Sequence, residues 1–251
     1  MSTGKNGSVL AKFLGRVLPT LPGFESLDVL SNETRWTGKV ADYLFDNRSI
    51  VAEQKDVSNY KFTFGRGYAD FRRRMIKKYG LNPSTGFARF DLLSEEEKAE
   101  VFRIQIGAMD IFKDLIHEAN KQIGNTKSEL GLAEASGLLI LICDSNNMLL
   151  PLPLQQRVIS ALNIKEGVSY KYIHVDAVLV VLRAKGFNLV GRQMCSWVQA
   201  RKENHAQYFG EKLNEELVKY GTDQMRPSPS QIFSHDFRPQ FDPDAEFPDL
   251  K

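Results

Sequence analysis

The sequence predicts an α/β domain in which helices cover a mixed β-sheet. Two apolar runs, GLLILIC at 137–143 and YIHVDAVLVVLR at 172–183, are typical of strands that are covered on both faces. An alternating segment ahead of them, VADYLFDNRSIVAEQK at 40–55, predicts a β-hairpin. Amphipathic helical segments lie before, between and after these strands, and this order favours a layered α/β architecture.

The composition fits one globular domain that can bury its own core. Hydrophobic residues make up 42% of the 251 residues and charged residues 25%, so neither disulfides nor structural metals are needed for folding. The net charge of +2 is too small to indicate a partner, and a nucleic-acid contact would have to come from a local basic patch.

The compartment is predicted from the cysteines and from the lack of targeting signals. Cys143 and Cys195 lie far apart and have neither zinc-site nor redox-motif spacing, which favours a reducing environment. The N-terminal residues show no signal-peptide pattern, and no apolar run is long enough to span a bilayer. We therefore expect a cytoplasmic protein without membrane contact.

The N-terminal half is predicted to hold three helices around the hairpin. Apolar residues recur on one helical face over 8–18, and a short strand is expected within FESLDVLS at 24–31. Residues 64–80 predict a basic helix. Ser94 and Glu97 fit a capping box, which predicts a long helix over 94–124.

The C-terminal half is predicted to alternate helix and strand and then to lose regular structure. Helices are expected at 154–163 and 203–220, on either side of the second apolar run. Five of the ten prolines lie between Pro227 and Pro248, where no helical or strand period survives. We interpret 1–224 as a single domain and 225–251 as an extended tail that wraps the domain or contacts a protein partner.

The hairpin carries charges where apolar residues would be expected. With Asp46–Asn47 as a two-residue turn, Phe45 pairs with Arg48 and Asp42 pairs with Val51. Side chains alternate between the two faces of a strand, and paired residues share a face. This parity determines which charges lie together.

Asp42, Glu53 and Lys55 fall on the same face of the predicted hairpin. Two carboxylates a few ångströms apart repel each other unless a cation lies between them, and Mg²⁺ prefers oxygen ligands. Lys55 would then lie at the edge of the metal site, where it could stabilise phosphate charge or orient an attacking water. The alternative is an ordinary hairpin whose charged face is solvated.

Asp42, followed eleven residues later by Glu53-Gln54-Lys55 on the next strand, resembles the core motif of the PD-(D/E)xK nuclease superfamily. The resemblance implies that Asp42 and Glu53 bind Mg²⁺ (or Mn²⁺), that the backbone carbonyl of Gln54 completes the protein ligands, and that Lys55 assists the water. Ala41 stands where many members have a proline.

The resemblance also implies a fold and an activity. The fold is restriction-endonuclease-like: a helix, a three-stranded antiparallel segment with the motif, a helix and a further strand. The activity is endonuclease-type, metal-dependent hydrolysis of DNA phosphodiester bonds in restriction, repair or defence. Many members add an acidic residue in or just after the first helix, and Glu25, ahead of Glu33, is the candidate here. Many also cut as dimers, which leaves a homodimer open.

Two alternatives stay open on these residues. RNA is an alternative substrate, because the metal chemistry would be the same. A non-catalytic module that binds nucleic acid or protein is the alternative function on the same fold.

A cluster of basic residues in the predicted helix at 64–80 follows the hairpin. Lysine and arginine hold phosphate backbones without reading sequence, so this helix is a candidate contact for DNA. The alternative is a solvated helix face. The candidates are Arg66, Arg72, Arg73, Arg74, Lys77 and Lys78.

Two further aspartates have no assigned role. Asp144 follows the first apolar run, where the next residues, SNN, favour a turn over a site. Asp176 interrupts the second run and needs a partner such as His174 or an arginine.

Overall fold

The computed structural model describes most of the chain up to residue 224. The described residues are 8–30, 36, 38–57, 66–79, 93–108, 111–143, 151–185 and 192–224. The predicted tail at 225–251 and the candidates Glu33 and Asp144 lie outside these ranges.

Seven α-helices and eight strands form the described parts of the chain. The helices are α1 (Val9–Val17), α2 (Leu27–Leu30), α3 (Arg66–Tyr79), α4 (Glu95–Ala108), α5 (Ile111–Glu129), α6 (Pro151–Leu162) and α7 (His205–Gln224), with a 3₁₀ turn at Leu18–Thr20 after α1. The strands are β1 (Glu25–Ser26), β2 (Tyr43–Phe45), β3 (Ile50–Asp56), β4 (Ser136–Cys143), β5 (Lys165–Glu166), β6 (Ser169–Tyr170), β7 (Ala177–Lys185) and β8 (Arg192–Ala200).

Six strands form one mixed sheet in the order β1-β2-β3-β4-β7-β8. β2 is antiparallel to both β1 and β3, β4 is parallel to both β3 and β7, and β8 is antiparallel to β7. β5 and β6 pair separately as a two-stranded ribbon. β3 therefore lies between β2, its antiparallel partner in the hairpin, and β4, to which it is parallel.

Helices cover both faces of this sheet. Side chains of α5 and α6 pack on the face that includes Val51, Leu139 and Val178. Side chains of α1 and α7 pack on the opposite face, against residues such as Ala52 and Leu138. Because helices cover both faces of the sheet, the side chains on both sides of β3 and β4 are mostly apolar. The protein is thus a three-layer α/β structure, as the sequence predicts.

Several predicted elements are confirmed with small changes at their ends. The helix predicted at 8–18 is α1, and the Ser8 side chain caps it by accepting a hydrogen bond from the Ala11 N–H. The capping box of α4 also forms: the Glu97 N–H donates to Ser94 Oγ at 3.3 Å, and the Ser94 N–H donates to Glu97 Oε2 at 2.9 Å.

Other predicted boundaries are wrong. The region 94–124 holds two helices, α4 and α5, instead of one. The strand predicted at 172–183 begins only at Ala177, because the carbonyls of Tyr172 and Val175 accept hydrogen bonds from the Arg201 guanidinium. β8 was not predicted at all. None of the described helices is long and apolar enough to cross a membrane.

Candidate functional site

The hairpin has a longer turn than the sequence predicts. Phe45 pairs with Ile50, so the turn is formed by the four residues 46–49. The predicted pairing of Phe45 with Arg48 is therefore wrong, and the register shifts by two residues. A shift of two keeps every side chain on its predicted face.

Local contacts explain the longer turn. Ser49 closes it, since its N–H and its Oγ both donate to the Asp46 carbonyl, at 3.1 and 2.7 Å. Asp46, Asn47 and Arg48 all have positive φ, between 49° and 66°, where aspartate and asparagine are tolerated better than arginine. The Asp46 carboxylate also lies 2.8 Å from Nε2 of His205, at the start of α7.

Asp42 lies one residue ahead of the last ladder pair of β2 and β3, Tyr43 with Ala52. Its N–H donates to the Ala52 carbonyl at 3.1 Å, so Asp42 and Tyr43 both lie against Ala52, as in a β-bulge. The predicted pairing of Asp42 with Val51 is wrong. The two carboxyls still lie close together, since the Asp42 carboxylate binds the N–H of Gln54, next to Glu53, and its charge raises the pKa of Glu53.

Asp42 is held from both sides. Its carbonyl accepts a hydrogen bond from the Leu27 N–H at 2.9 Å, and its carboxylate Oδ2 accepts one from the Gln54 N–H at 2.8 Å. The N–H and C=O of one strand residue point toward the same edge, so the Gln54 carbonyl also projects toward Asp42. The Gln54 carbonyl, which is the predicted metal ligand, thus lies on the edge of β3 that faces the Asp42 carboxylate.

Glu53 is a buried carboxylate with one unpaired oxygen. Only 2% of the residue is exposed. Its Oε1 lies 2.8 Å from the Lys55 ammonium, whereas its Oε2 is buried without a hydrogen-bond partner. An orphaned buried carboxylate oxygen is costly and calls for a missing partner. A bound cation would satisfy this oxygen, as would a proton shared with the neighbouring Asp42 carboxyl.

The raised pKa values of the two carboxyls also favour a cation site. Burial raises the pKa of Glu53 to about 8, and the neighbouring charge of Asp42 acts in the same direction. Burial likewise raises the pKa of Asp42, against the lowering effect of the Gln54 N–H. Two carboxyls that resist ionisation together are a favourable environment for a divalent cation.

Lys55 lies on the same face, two residues beyond Glu53. Its ammonium donates to Gln122 Oε1 at 2.6 Å, in addition to its ion pair with Glu53. Glu118 Oε2 is more distant, at 3.7 Å. The side chain of Lys55 is only 16% exposed, so its charge is held close to the carboxylate pair.

Sequence reasoning missed Gln122 and Glu118, which α5 brings to the site. They are spaced i, i+4 and therefore lie on one face of the helix. Both are far from Lys55 in sequence, and their position depends on how α5 packs on the sheet. The available signal was a pair of polar residues one turn apart beside the apolar stripe of this helix.

The candidate Glu25 makes a different contact from the one expected. It forms two hydrogen bonds with the Arg48 guanidinium, at 2.9 and 2.8 Å, beside the hairpin turn. Asp28 in α2 is the acidic residue of this region whose charge acts on Asp42, and it raises the pKa of that carboxyl. Its place, three residues after Glu25 and beyond the first helix, fits the position at which an additional carboxylate was sought.

The basic helix exists, and part of its charge is paired with α4. Arg74 forms an ion pair with Glu100 at 2.5 Å and Lys78 with Glu97 at 2.7 Å. Arg73 pairs with Asp70 on its own helix and is largely exposed, and Lys77 is exposed. The side chains of Arg66 and Arg72 lie outside the described part of the structure.

Asp176 has a structural contact. It lies just before β7, where its Oδ2 accepts a hydrogen bond from the Gly137 N–H at 2.7 Å, and Lys127 lies 3.8 Å from the same oxygen. The Gly137 N–H and Lys127 are thus the partners that a carboxylate at this position was expected to need.

Within the described residues, no group of three or more histidine, cysteine, aspartate or glutamate side chains is arranged to hold a metal. The carboxylates of the site are two, Asp42 and Glu53. Comparisons with protein-family models, curated proteins and solved structures find no match to this chain. The function is therefore inferred from the residues of the site.

Proposed function

We propose that this protein is a metal-dependent nuclease of the PD-(D/E)xK type, which hydrolyses phosphodiester bonds in DNA. The observation that carries the proposal is the convergence of three side chains: the Asp42 carboxylate binds the Gln54 N–H at 2.8 Å, its charge acts on the buried Glu53, and the Lys55 ammonium lies 2.8 Å from Glu53. The hairpin segment that suggested the family is the segment that contains this arrangement.

The order of elements supports a restriction-endonuclease-like core. α1 precedes the antiparallel strands β1 to β3, α5 follows them, and β4 lies parallel to β3. α1 and α5 pack on opposite faces of the sheet. This is the helix, three-stranded segment, helix and strand that the resemblance implies, with α2, α3 and α4 as additional helices.

The residues fit a divalent cation. Mg²⁺ or Mn²⁺ would be held by the carboxylates of Asp42 and Glu53 and by the Gln54 carbonyl, and the unpaired Oε2 of Glu53 would gain a partner. When bound, such an ion supplies a Lewis acid that offsets phosphate charge and lowers the pKa of water. Asp28 is the next carboxylate available to this region.

The role of Lys55 follows from its burial and its partners. A mostly buried ammonium interacts more strongly with developing negative charge than one in bulk water does. Lys55 is therefore suited to stabilise the phosphate in the transition state or to orient the attacking water. Glu53 and Gln122 fix the ammonium in place, which avoids reorganisation during the reaction.

Wild-type protein is expected to cut DNA in the presence of Mg²⁺ or Mn²⁺ and to lose this activity in EDTA. The measurement is gel analysis of linear, supercoiled and single-stranded DNA, with an RNA of the same sequence in parallel. Cleavage of the RNA alone would replace DNA as the substrate. No cleavage of any substrate, together with no cation binding by calorimetry, would favour a non-catalytic binding module.

Charge reversal on α3 is expected to weaken DNA binding. Arg73→Glu and Lys77→Glu remove two exposed cations, and each should raise the Kd and reduce the dependence of log K on log salt by about one phosphate contact. Fluorescence anisotropy over a salt series measures both quantities, with Ca²⁺ in place of Mg²⁺.

The matched control is Lys212→Glu. Lys212 is also exposed, but α7 packs on the opposite face of the sheet from α5 and α6. This change alters the net charge equally and should leave the Kd close to wild type. Equal weakening by all three variants would show that only total charge matters and would exclude α3 as the contact.

A further inference from the structure

Polar side chains on one face of α5 bind the backbone that leads into Asp42. Three consecutive residues before Asp42 each contact this helix, so the start of β2 is fixed by α5 as well as by β3. The three hydrogen bonds are Asn125 Nδ2 to the Lys39 carbonyl at 3.1 Å, Gln122 Nε2 to the Val40 carbonyl at 3.1 Å, and the Ala41 N–H to Thr126 Oγ1 at 2.8 Å.

Gln122 differs from the other two because its amide also binds Lys55. Its Nε2 donates to the Val40 carbonyl while its Oε1 accepts from the Lys55 ammonium at 2.6 Å. One side chain therefore joins the segment that carries Asp42 to the lysine on β3. Within the described residues, the hydrogen-bond and ion-pair partners of Lys55 include neither Asn125 nor Thr126.

The alternatives open to the Lys55 ammonium show why this bond matters. Its other partners are Glu53 at 2.8 Å and Glu118 at 3.7 Å, and Glu118 is 61% exposed. A lysine has a flexible four-carbon stem, so an ammonium without the Gln122 acceptor is free to move toward either carboxylate. Displacements of about 1 Å in a reacting constellation cost about 100-fold in rate.

We propose that Gln122 is a positioning residue, which holds the Lys55 ammonium at a fixed place relative to the Asp42–Glu53 pair. This inference rests on the proposed nuclease function for its effect on rate. Its structural part, the restraint of Lys55 by Gln122, holds independently of any reaction.

The first test compares three variants in steady-state cleavage of DNA. Gln122→Met removes both hydrogen bonds at similar volume and should lower kcat about 10–100-fold with little change in KM. Asn125→Ala breaks the neighbouring bond to the same backbone segment and should leave kcat near wild type. Gln122→Glu keeps an acceptor for Lys55 but loses the donor to the Val40 carbonyl, so it should recover part of the loss. Thermal unfolding verifies that each variant is folded.

The second test needs no cation and no cleavage. Metal-free protein is treated with an amine-acylating reagent, and labelling of each lysine is followed by mass spectrometry. Gln122→Met should increase the labelling rate of Lys55 several-fold, while Lys121, exposed on the same helix, serves as the internal reference. Asn125→Ala and Gln122→Glu should label Lys55 as wild type does.

Two results would overturn the inference. Unchanged labelling of Lys55 in Gln122→Met would show that Gln122 does not restrain the lysine. Equal losses of kcat in Gln122→Met and Asn125→Ala would reduce Gln122 to a structural support of residues 39–41. If wild-type protein cuts no DNA, the proposed function fails, and the labelling comparison still decides whether Gln122 holds Lys55.

Discussion

Glu53→Gln is expected to reduce Mg²⁺-dependent DNA cleavage by at least about 100-fold. The substitution removes one of two carboxyls that lie close enough for their charges to interact, and it leaves side-chain volume almost unchanged. A neutral amide in a position that is 2% exposed carries no buried charge, so the fold should be retained. Single-turnover cleavage and calorimetric Mn²⁺ titration measure the two losses separately.

Lys55→Ala should give a loss of similar size with a different signature. Its removal takes away the ammonium that would stabilise phosphate charge, and leaves Asp42 and Glu53 intact. Cation binding is therefore expected to persist while the chemical step slows about 100- to 1,000-fold. Loss of cation binding in Glu53→Gln together with its retention in Lys55→Ala would assign the two roles.

The matched control uses a second Glu-x-Lys sequence in the same chain. Glu96-Glu97-Lys98 has the spacing of Glu53-Gln54-Lys55 but lies in the first turn of α4. Glu96→Gln should leave cleavage at the wild-type level, since that carboxylate accepts a hydrogen bond from Ser94 at the start of α4 and has no part in the candidate site. Full activity in both Glu53→Gln and Lys55→Ala would remove the proposed site.

The faces of the hairpin could be predicted from sequence, and its register could not. Alternation along a strand is a local property, so the common face of Glu53 and Lys55 on β3 is the same under either register. The register depends on the turn, and here Ser49 closes a four-residue turn whose Asp46 also contacts His205 from α7. Asp46 and His205 are 159 residues apart, so the local sequence pattern of the hairpin does not reveal their contact.

The side chains that α5 contributes to the site could not be predicted either, because they too depend on contacts between residues far apart in the sequence. The amphipathic pattern predicts a helix and its apolar stripe, and it does not say which strand the flanking polar residues will meet. Gln122 and Lys55 are 67 residues apart, and only the crossover from β3 to the parallel strand β4 brings α5 above β3. The part of the site on one hairpin was therefore predictable, and the part supplied by another element was not.

The metal-free protein is expected to lose stability as the pH rises from about 4.5 to about 8. The pKa of Glu53 is about 8 in the folded protein and 4.5 ordinarily, so between these values the folded state keeps a proton that the unfolded state has lost. Raising the pH then favours unfolding. The stabilisation is fully present below pH 4.5 and disappears as the pH passes about 8. Asp42, whose pKa is also raised, acts in the same direction.

The size of the effect is about 3–5 kcal/mol for Glu53, which is a large share of the stability of a typical domain. Chemical denaturation in EDTA between pH 4.5 and 9 measures it. Glu53→Gln should flatten the profile and be more stable than wild type at pH 8.5. Glu215→Gln, at an exposed position on α7, should keep the wild-type profile. The difference between Glu53→Gln and wild type isolates this carboxyl from other titrating groups, such as His174.

Cation binding should reverse this trend, because the same proton must leave before both carboxylates can hold a metal. At pH 8.5 saturating Mg²⁺ or Mn²⁺ is expected to raise the Tm of wild-type protein, and the increase should shrink toward pH 5. Glu53→Gln should show little response at either pH. If high pH destabilises the protein and cations do not restore its Tm, the carboxyl pair repels itself there but does not bind a metal. A cation-dependent rescue that vanishes with Glu53 would link the buried charge to the ion that it is proposed to hold.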